Sequence, residues 1–461
     1  MKTKQEIIQE VLDQMTGDAL KDIETIVNVL EENQDHPEIE AIGFELLSKI
    51  TDRIPDKAKS EMARMLEENH KACENQLADV EELIDDHLYE EALEKIENLF
   101  RCFEMLKMFN EDNIFRFYTF EDGLQESVYR VIHGIQTPTG NAPENYGKAY
   151  HLYGKALLGL NRTQEAKEKF NCAMRWNPMQ IASYIGYAQA LKVEQDLDGA
   201  KEFVCKAFRY AFKKEDIGNI YCFLSGLYLD LEEYEVAYYS AFFAGFFARK
   251  SKANKYINRV KDACPYELKA PEPERVTTVF EQYKIEKAPG EEMLQVLFSI
   301  ANYCEKHNRL KESLFVWNTI YELIEDEASV KKIDALEDAI LEKFESLIQE
   351  YAKDPCERKF NRILFEMHNL KVYAALKKDS KDEYAIATRD GQPYFVLFTK
   401  KEIDPALLKE YSPVKVSIEQ VIQWAYRSQE EVNGIIFNPE ADGFTFEVDE
   451  LKRLIGNTLL N

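Results

Sequence analysis

Between about Gly147 and Arg249 large apolar, small and polar residues follow one another at helical spacing, and the order recurs. With Ala166 set against Ala200, two stretches match at an offset of 34 residues. Tyr150 pairs with Tyr184, Tyr153 with Tyr187, Gly154 with Ala188, Leu157 with Leu191, Phe170 with Val204 and Ala173 with Ala207. A third copy sets Tyr221, Leu224, Ser225, Tyr228, Ala237, Ala241 and Ala244 at the same internal positions, three residues later than a strict repeat. A small residue in each of two helices lets the backbones approach while bulky neighbours fill the spaces beside them. One such pair cannot bury its apolar side alone, so the pattern predicts a stack of pairs sharing a core.

The flanks continue the helical spacing less regularly. Residues 1 to about 33 read as an amphipathic helix or helix pair through Ile7, Ile8, Val11, Leu12 and Met15, then Leu20, Ile23, Ile26, Val27 and Leu30. Leu83 to Phe100 reads as a turn and a second helix with Ala92 in the small position, so 1–133 is an acidic helical region with degenerate units. A loop, GIQTPTGNAP, separates it from the clear repeats at 144–262. After a break at Cys264 to Glu274, a further unit spans 290–355, with Ser313 and Trp317 in its second helix. A charged helix from about Ser329 to Tyr351 is expected to cap the array with a polar outer face.

The large, large, small, large and then small, aromatic, small order, with Pro178 closing the first copy, resembles the tetratricopeptide repeat. The fold expected is mainly α, a right-handed α-α superhelix followed by a small α/β domain. In that register the inward positions of the first helices carry His151, Lys155 and Leu158, then Ile185, Gln189 and Lys192, then Asn219 and Gly226. The resemblance therefore makes His151, Lys155, Gln189, Lys192 and Asn219 the candidate groove residues. The family's peptide-carboxylate clamp needs a Lys, Asn, Asn, Lys, Arg set, and this chain departs from it. The third copy is dense in aromatics: Tyr238, Phe242 and Phe246 form one stripe, and Tyr239, Phe243 and Phe247 its neighbour. That arc either packs on later helices or serves as an interface, with a homodimer as one option.

From about Phe360 the pattern changes to short runs rich in Tyr, Val, Phe and Ile. Val372 to Leu376, Tyr384 to Thr388 and Tyr394 to Thr399 read as strands, the last two joined by a turn at Asp390 and Gly391. Helices are expected around Pro405 to Tyr411, Ile418 to Ser428 and Val448 to Ile455, with two more strands in GIIFNPEADGFTFE. The stretches YAIATRDGQPYFVLFTKKEID, SIEQVIQWA and VNGIIFNPEADGFTFEVDEL resemble the SseB-type domain, the family of the bacterial "enhanced serine sensitivity" protein. The resemblance covers 360–461 and implies a fold and a bacterial setting more than an activity. Asn438, Pro439, Glu440, Asp442 and Asp449 could rim the strand ends, or serve as turn and capping residues.

Composition narrows the function classes. Net charge is −26 over 461 residues, and −17 of it falls in the first hundred, which disfavours nucleic-acid binding there. The field could also steer a basic partner. The basic run Arg249, Lys250, Lys252, Lys255, Arg259 and Lys261 reads as a solvated helix face or a dock for the acidic N-terminal region. No apolar run is long enough to span a bilayer, and the N-terminus lacks a signal-peptide core, so a cytoplasmic location without membrane contact is expected. Eight scattered cysteines suit a reducing compartment. No phosphate loop, GxGxxG, HExxH, GxSxG or CxxC motif is present; no catalytic residue, metal site or cofactor is expected. Asp85 and Asp86 beside His87 point in different directions on a helix and read as a surface cluster. The leading expectation is a non-enzymatic scaffold that binds an unidentified protein or peptide segment in the repeat groove. The alternatives are a small-ligand sensor or enzyme in the C-terminal domain, with the repeats as a targeting arm, and an acidic chaperone for basic clients.

Overall fold

A computed structural model describes the chain except for residues 1, 18, 34–35, 37–41, 44, 47–55, 105–116, 136–138, 143, 381–382, 402–405, 429–430, 440–442 and 456–461. The chain divides into two compact units, Met1–Leu297 and Phe298–Asn461. The fold is mainly α, a tetratricopeptide-like stack of helix pairs with a small sheet region near the C-terminus.

In the first unit, α1 (Lys4–Gln14) and α2 (Ala19–Glu32) are separate helices, broken at Gly17, whose φ of +86° an L side chain rarely adopts. Ile7, Ile8 and Val11 meet Ile26, Val29 and Leu30 in a small core. Next come α3 (Asp56–Asp85) and α4 (Tyr89–Glu104), which pair with each other and pack on α6 (Tyr146–Gly159). Between α4 and α6 lies an insertion of β1 (Phe117–Tyr118), α5 (Gly123–His133) and β2 (Gly140–Asn141). The clear repeats follow: α6 with α7 (Thr163–Trp176), α8 (Ile181–Val193) with α9 (Leu197–Lys206), and α10 (Lys214–Asp230) with α11 (Tyr234–Phe247). Each pair stacks on the next, and α12 (Lys250–Ala263) continues the series against α10 and α11.

The register read from the sequence is carried by the packing. Ala166, Ala188, Ala200, Ser225 and Ala237 are fully enclosed. A Cβ placed on Gly154 would come within 2.7 Å of the Phe170 ring, and one on Gly186 within 2.5 Å. Phe170 is thus held between the first helix of its own pair and the first helix of the next. One ring joins the two levels of packing, within a pair and between pairs.

The turns repeat as faithfully as the helices. His87, Asn161, Gln195 and Glu232 have φ of 62°, 60°, 66° and 59°, each just beyond a first helix, and each second helix begins two residues later. Behind each, the next amide reaches back six residues inclusive: Leu88 to Leu83, Arg162 to Leu157, Asp196 to Leu191 and Glu233 to Tyr228. That is the Schellman closure of a helix C-terminus, here on residues other than glycine. The 161-to-195 step is 34 residues, and 195-to-232 carries the three-residue shift seen in the side-chain pattern.

The insertion fastens along the ends of these helices. The Thr119 amide donates to the Trp176 carbonyl at 2.9 Å, and the Gly147 amide to Thr119 Oγ1 at 3.1 Å. Asn177 Nδ2 donates to Gln125 Oε1 at 3.2 Å, both residues being buried. Lys213 Nζ reaches Glu121 at 2.6 Å and Asp122 at 3.3 Å. Beside this cluster burial, reinforced by Glu121, pushes the Asp216 carboxyl up to about 7, against the pull of Lys213.

The break expected at Cys264 to Glu274 runs to Glu272, and beyond it the chain forms a helix that was not expected, α13 (Pro273–Gln282). Pro273 sits in the first turn, where a missing amide hydrogen costs nothing, and Val276, Val279 and Phe280 are buried on one side. After it comes α14 (Glu291–Lys306).

In the second unit, α15 (Leu310–Ile324) follows a further left-handed turn at Asn308, and Ser313 is fully enclosed, donating to the Ala301 carbonyl at 3.1 Å. Next are α16 (Glu327–Lys353) and α17 (Glu357–Met367). A six-stranded sheet then runs in the order β6–β3–β5–β7–β8, with β4 paired to β5 off that path. Its strands are β3 (Lys371–Lys377), β4 (Ile386–Arg389), β5 (Gln392–Phe398), β6 (Tyr411–Ser417), β7 (Gly434–Phe437) and β8 (Phe444–Glu447). Helices α18 (Ile418–Arg427) and α19 (Val448–Ile455) complete the unit.

Two expectations are corrected here. The helix expected to cap the repeats with a polar outer face, α16, instead buries Ile340, Leu341, Phe344, Leu347 and Ile348 in one core with Val372, Leu397, Ile435, Phe437 and Phe446 of the sheet. It belongs with the α/β module, so the expected boundary between 355 and 360 does not separate two compact bodies. The helix expected around Pro405 to Tyr411 is, as far as it is described, one 3₁₀ turn at Leu407–Lys409, followed by β6. Pro413 hides β6 from a sequence reading, yet an edge strand tolerates proline, and β6 pairs antiparallel with β3 from Tyr411 to Ser417.

Two substitutions test this packing by chemical denaturation of the full chain. Phe170→Ala is expected to cost about 3–5 kcal/mol, the usual range for an emptied aromatic site. Glu232→Gly, which relieves a left-handed conformation, is expected to stabilise by about 0.5–1 kcal/mol after the greater freedom of the unfolded chain is counted.

Candidate partner-binding face

The first helices α3, α6, α8, α10 and α12 lie in succession, and polar side chains join each to the next. Lys148 Nζ meets Glu81 at 3.0 Å and Lys155 Nζ meets Asp85 at 3.8 Å, joining α6 to α3. His151 Nδ1 lies 3.2 Å from Ser183 Oγ, joining α6 to α8. Lys192 Nζ meets Asp230 at 2.5 Å, joining α8 to α10. Arg259 reaches the same carboxylate at 3.8 Å, and Lys252 Nζ donates to Asn219 Oδ1 at 2.5 Å, joining α10 to α12.

Four of the five residues expected to line a groove, His151, Lys155, Lys192 and Asn219, therefore spend their polar groups on the neighbouring helix. Gln189 alone of the five is exposed without such a tie among the described residues. His151 also packs against Phe170, with ring centroids 5.7 Å apart. Burial, with Lys155 and Lys148 adding to it, pushes its imidazole down to about 3, so it is neutral at physiological pH. The sequence reading does not single out Glu81 or Asp230, and it takes Asp85 only as part of a surface cluster with Asp86 and His87. A signal existed: Asp85 and Asp230 each stand two residues before the left-handed turn of their pair, so the repeat register aligns them.

The aromatic arc is mostly covered. Tyr238 and Tyr239 are buried. Phe243 packs on Tyr221 and Phe280, and Phe247 faces Tyr221. Phe242 is half-buried against Phe246, and only Phe246, 57% exposed, remains open. The basic run forms α12, where Lys261 lies over the Tyr238 ring at 5.5 Å. The partners of its cations among the described residues are on α10 and α11, not on the acidic N-terminal helices.

In the second unit the strand-end residues bind one another. Asn438, at a φ of 46°, accepts the Thr399 amide at 3.1 Å and donates to Thr399 Oγ1 at 3.0 Å. That hydroxyl donates to Glu345 at 3.0 Å, and Lys400 closes the group at 3.2 Å from Glu345. Glu440 and Asp442 lie outside the described residues, and Asp449 stands in the first turn of α19. His87, flanked by Asp85 and Asp86, is the turn residue of its pair, with Nδ1 2.8 Å from the Tyr89 hydroxyl. A cavity of about 290 Å³ is lined by Leu310, Ile340, Phe344 and Leu347, with Phe365 at its mouth, 72% exposed. Among the described residues no three His, Cys, Asp or Glu side chains could hold a metal ion. No described helix is long and apolar enough to cross a membrane.

No protein-family model matches the chain, and no curated protein matches it. Among solved structures it is similar to a chain of the APC/C hetero-tetramer Cut9-Hcn1, at 12% identity and a TM-score of 0.24. The match covers 76% of this chain and 63% of that one, less than two thirds of its length. The repeat architecture accordingly rests on the helix pairs, the enclosed small residues and the recurring turns.

The neutral His151 gives a pH test with a defined sign. Its folded value lies below the ordinary 6.5, so its contribution is complete above about 6.5 and is lost as pH falls from there toward about 3. Urea denaturation between pH 7 and 4 is expected to show this loss, and His151→Gln to flatten that part of the slope. An unchanged slope would place the proton elsewhere.

Proposed function

We propose that the chain is a non-enzymatic scaffold that holds a peptide or protein segment against the first-helix face of its repeats. The observation that carries the reading is the continuity of that face: four successive junctions, from α3 to α12, are closed by polar side chains. Such a surface keeps hydrogen-bonding groups in fixed places, and its hydroxyl beside an imidazole, Ser183 next to His151, is fully enclosed. An extended or helical segment suits it, because either can follow a row of parallel ridges. The second unit, on this reading, is an SseB-like module carried in the same cytoplasmic, bacterial protein, and it supplies a second contact surface instead of a reaction centre.

The test compares partners retained by the immobilised full chain with those retained by two variants. Lys155→Glu combined with Lys192→Glu reverses two charges on the face and is expected to weaken retention about tenfold, in line with charge pairs at interfaces. Because those lysines also tie helices together, Gln189→Glu serves as the second variant, adding charge at an exposed position that holds no tie. Retention of the same partners by both variants at unchanged strength would remove the face from the function.

A further inference from the structure

The cations of α12 are not spread evenly around the helix. At about 100° per residue, Lys252, Lys255 and Arg259 fall within an arc of about 60°. Ala253, Tyr256, Ile257 and Val260 occupy the packed side, with Ala253 and Val260 fully enclosed. Lys250 and Lys261 lie on the opposite flank, where Lys261 covers Tyr238 of α11. The arc holding Lys252, Lys255 and Arg259 is the flank toward α10, as the contacts to Asn219 and Asp230 show. These three cations are exposed, and the guanidinium side chain of Arg259 retains 57% of its accessible surface. Lys192 of α8 joins them through the shared Asp230.

Lys192 and Arg259 share Asp230, and the exposed Asp262 of α12 falls within about 20° of Lys255, so the four cations outnumber these two carboxylates by two on a chain of net charge −26. The other end is balanced, with Glu81 and Asp85 of α3 paired to Lys148 and Lys155 of α6. We infer that the α8–α10–α12 end of the face binds an acidic peptide segment of a partner protein, with its carboxylates on Lys252, Lys255 and Arg259. The inference rests on the proposed scaffold role and specifies its partner. A short acidic segment fits because its charge is local. A polyphosphate backbone following the same face would run onto Glu81 and Asp85, which a short acidic segment does not reach.

A random peptide library displayed on phage and selected on the full chain at low salt tests this directly. Selected peptides are expected to be enriched in Asp and Glu. Their affinity, measured by fluorescence anisotropy, should fall at least about tenfold in the Lys252→Glu, Lys255→Glu, Arg259→Glu triple variant and weaken with added salt. A Lys255→Gln single variant, altering a residue that ties no helix, should lose affinity in the same direction with an unchanged melting temperature. Enriched peptides that are neutral or basic, or that bind the triple variant equally well, overturn this inference and leave the scaffold reading standing. A selection that enriches no peptide overturns both. Binding of oligothymidine or phosphatidylserine vesicles more tightly than the best acidic peptide, abolished by the same variants, also overturns the inference in favour of a different polyanion.

Discussion

Close approach of helices at small residues is the constraint on which the first unit depends. Phe170 can sit between α6 and α8 only because neither Gly154 nor Gly186 presents a Cβ to its ring. The same requirement recurs with alanine or serine at 188, 200, 225 and 237, all enclosed. An aromatic ring supplies the buried area and a missing side chain supplies the space, so the two kinds of residue are useful only together. A stack of this sort transmits the condition from pair to pair: each first helix must fit the second helix before it as well as its own partner.

Backbone conformation at the turns follows the same spacing outside the core. A helix hairpin that ends in a left-handed residue fixes the direction of the second helix, and glycine is the residue for which that conformation is least strained. Here the position is held by His87, Asn161, Gln195 and Glu232 instead. Packing on both sides of each turn must therefore outweigh a local preference of about 1–2 kcal/mol per residue. The turns are consequences of the core, not independent instructions, which is why no Gly or Pro punctuation announces them in the sequence.

That distinction explains how much could be read beforehand. The three clear copies, the hairpin of β4 and β5, and the helices α18 and α19 were legible because periodicity, turn residues and apolar runs agree locally. The strand β6 was not, since Pro413 speaks against a strand and only its place at the sheet edge permits it. The role of α16 was also hidden. A long amphipathic helix after a repeat reads as a cap, and the sequence does not say that its apolar stripe faces Val372 and Phe437. The groove residues fell between these cases: their positions followed from the register, but their engagement with Asp85, Ser183, Asp230 and Lys252 depends on how far apart neighbouring helices lie.

Those engagements bear on how such a face could recognise anything. A lysine already paired with a neighbouring aspartate has lost some of its freedom, so a partner carboxylate that shares it orders less side chain on binding. Exposed pairs of this kind contribute little stability by themselves, typically under about 1 kcal/mol. Their larger effect is positional, since each pair fixes where charge is presented along successive helices. The alternation from Glu81 and Asp85 on α3, through Lys148, Lys155 and Lys192, to Arg259 on α12 then becomes a graded pattern of charge. A flexible surface of the same composition could not hold that pattern. The packing of Phe170 between two glycines and the presentation of charge at the face are, in this sense, successive effects of one spacing between helices.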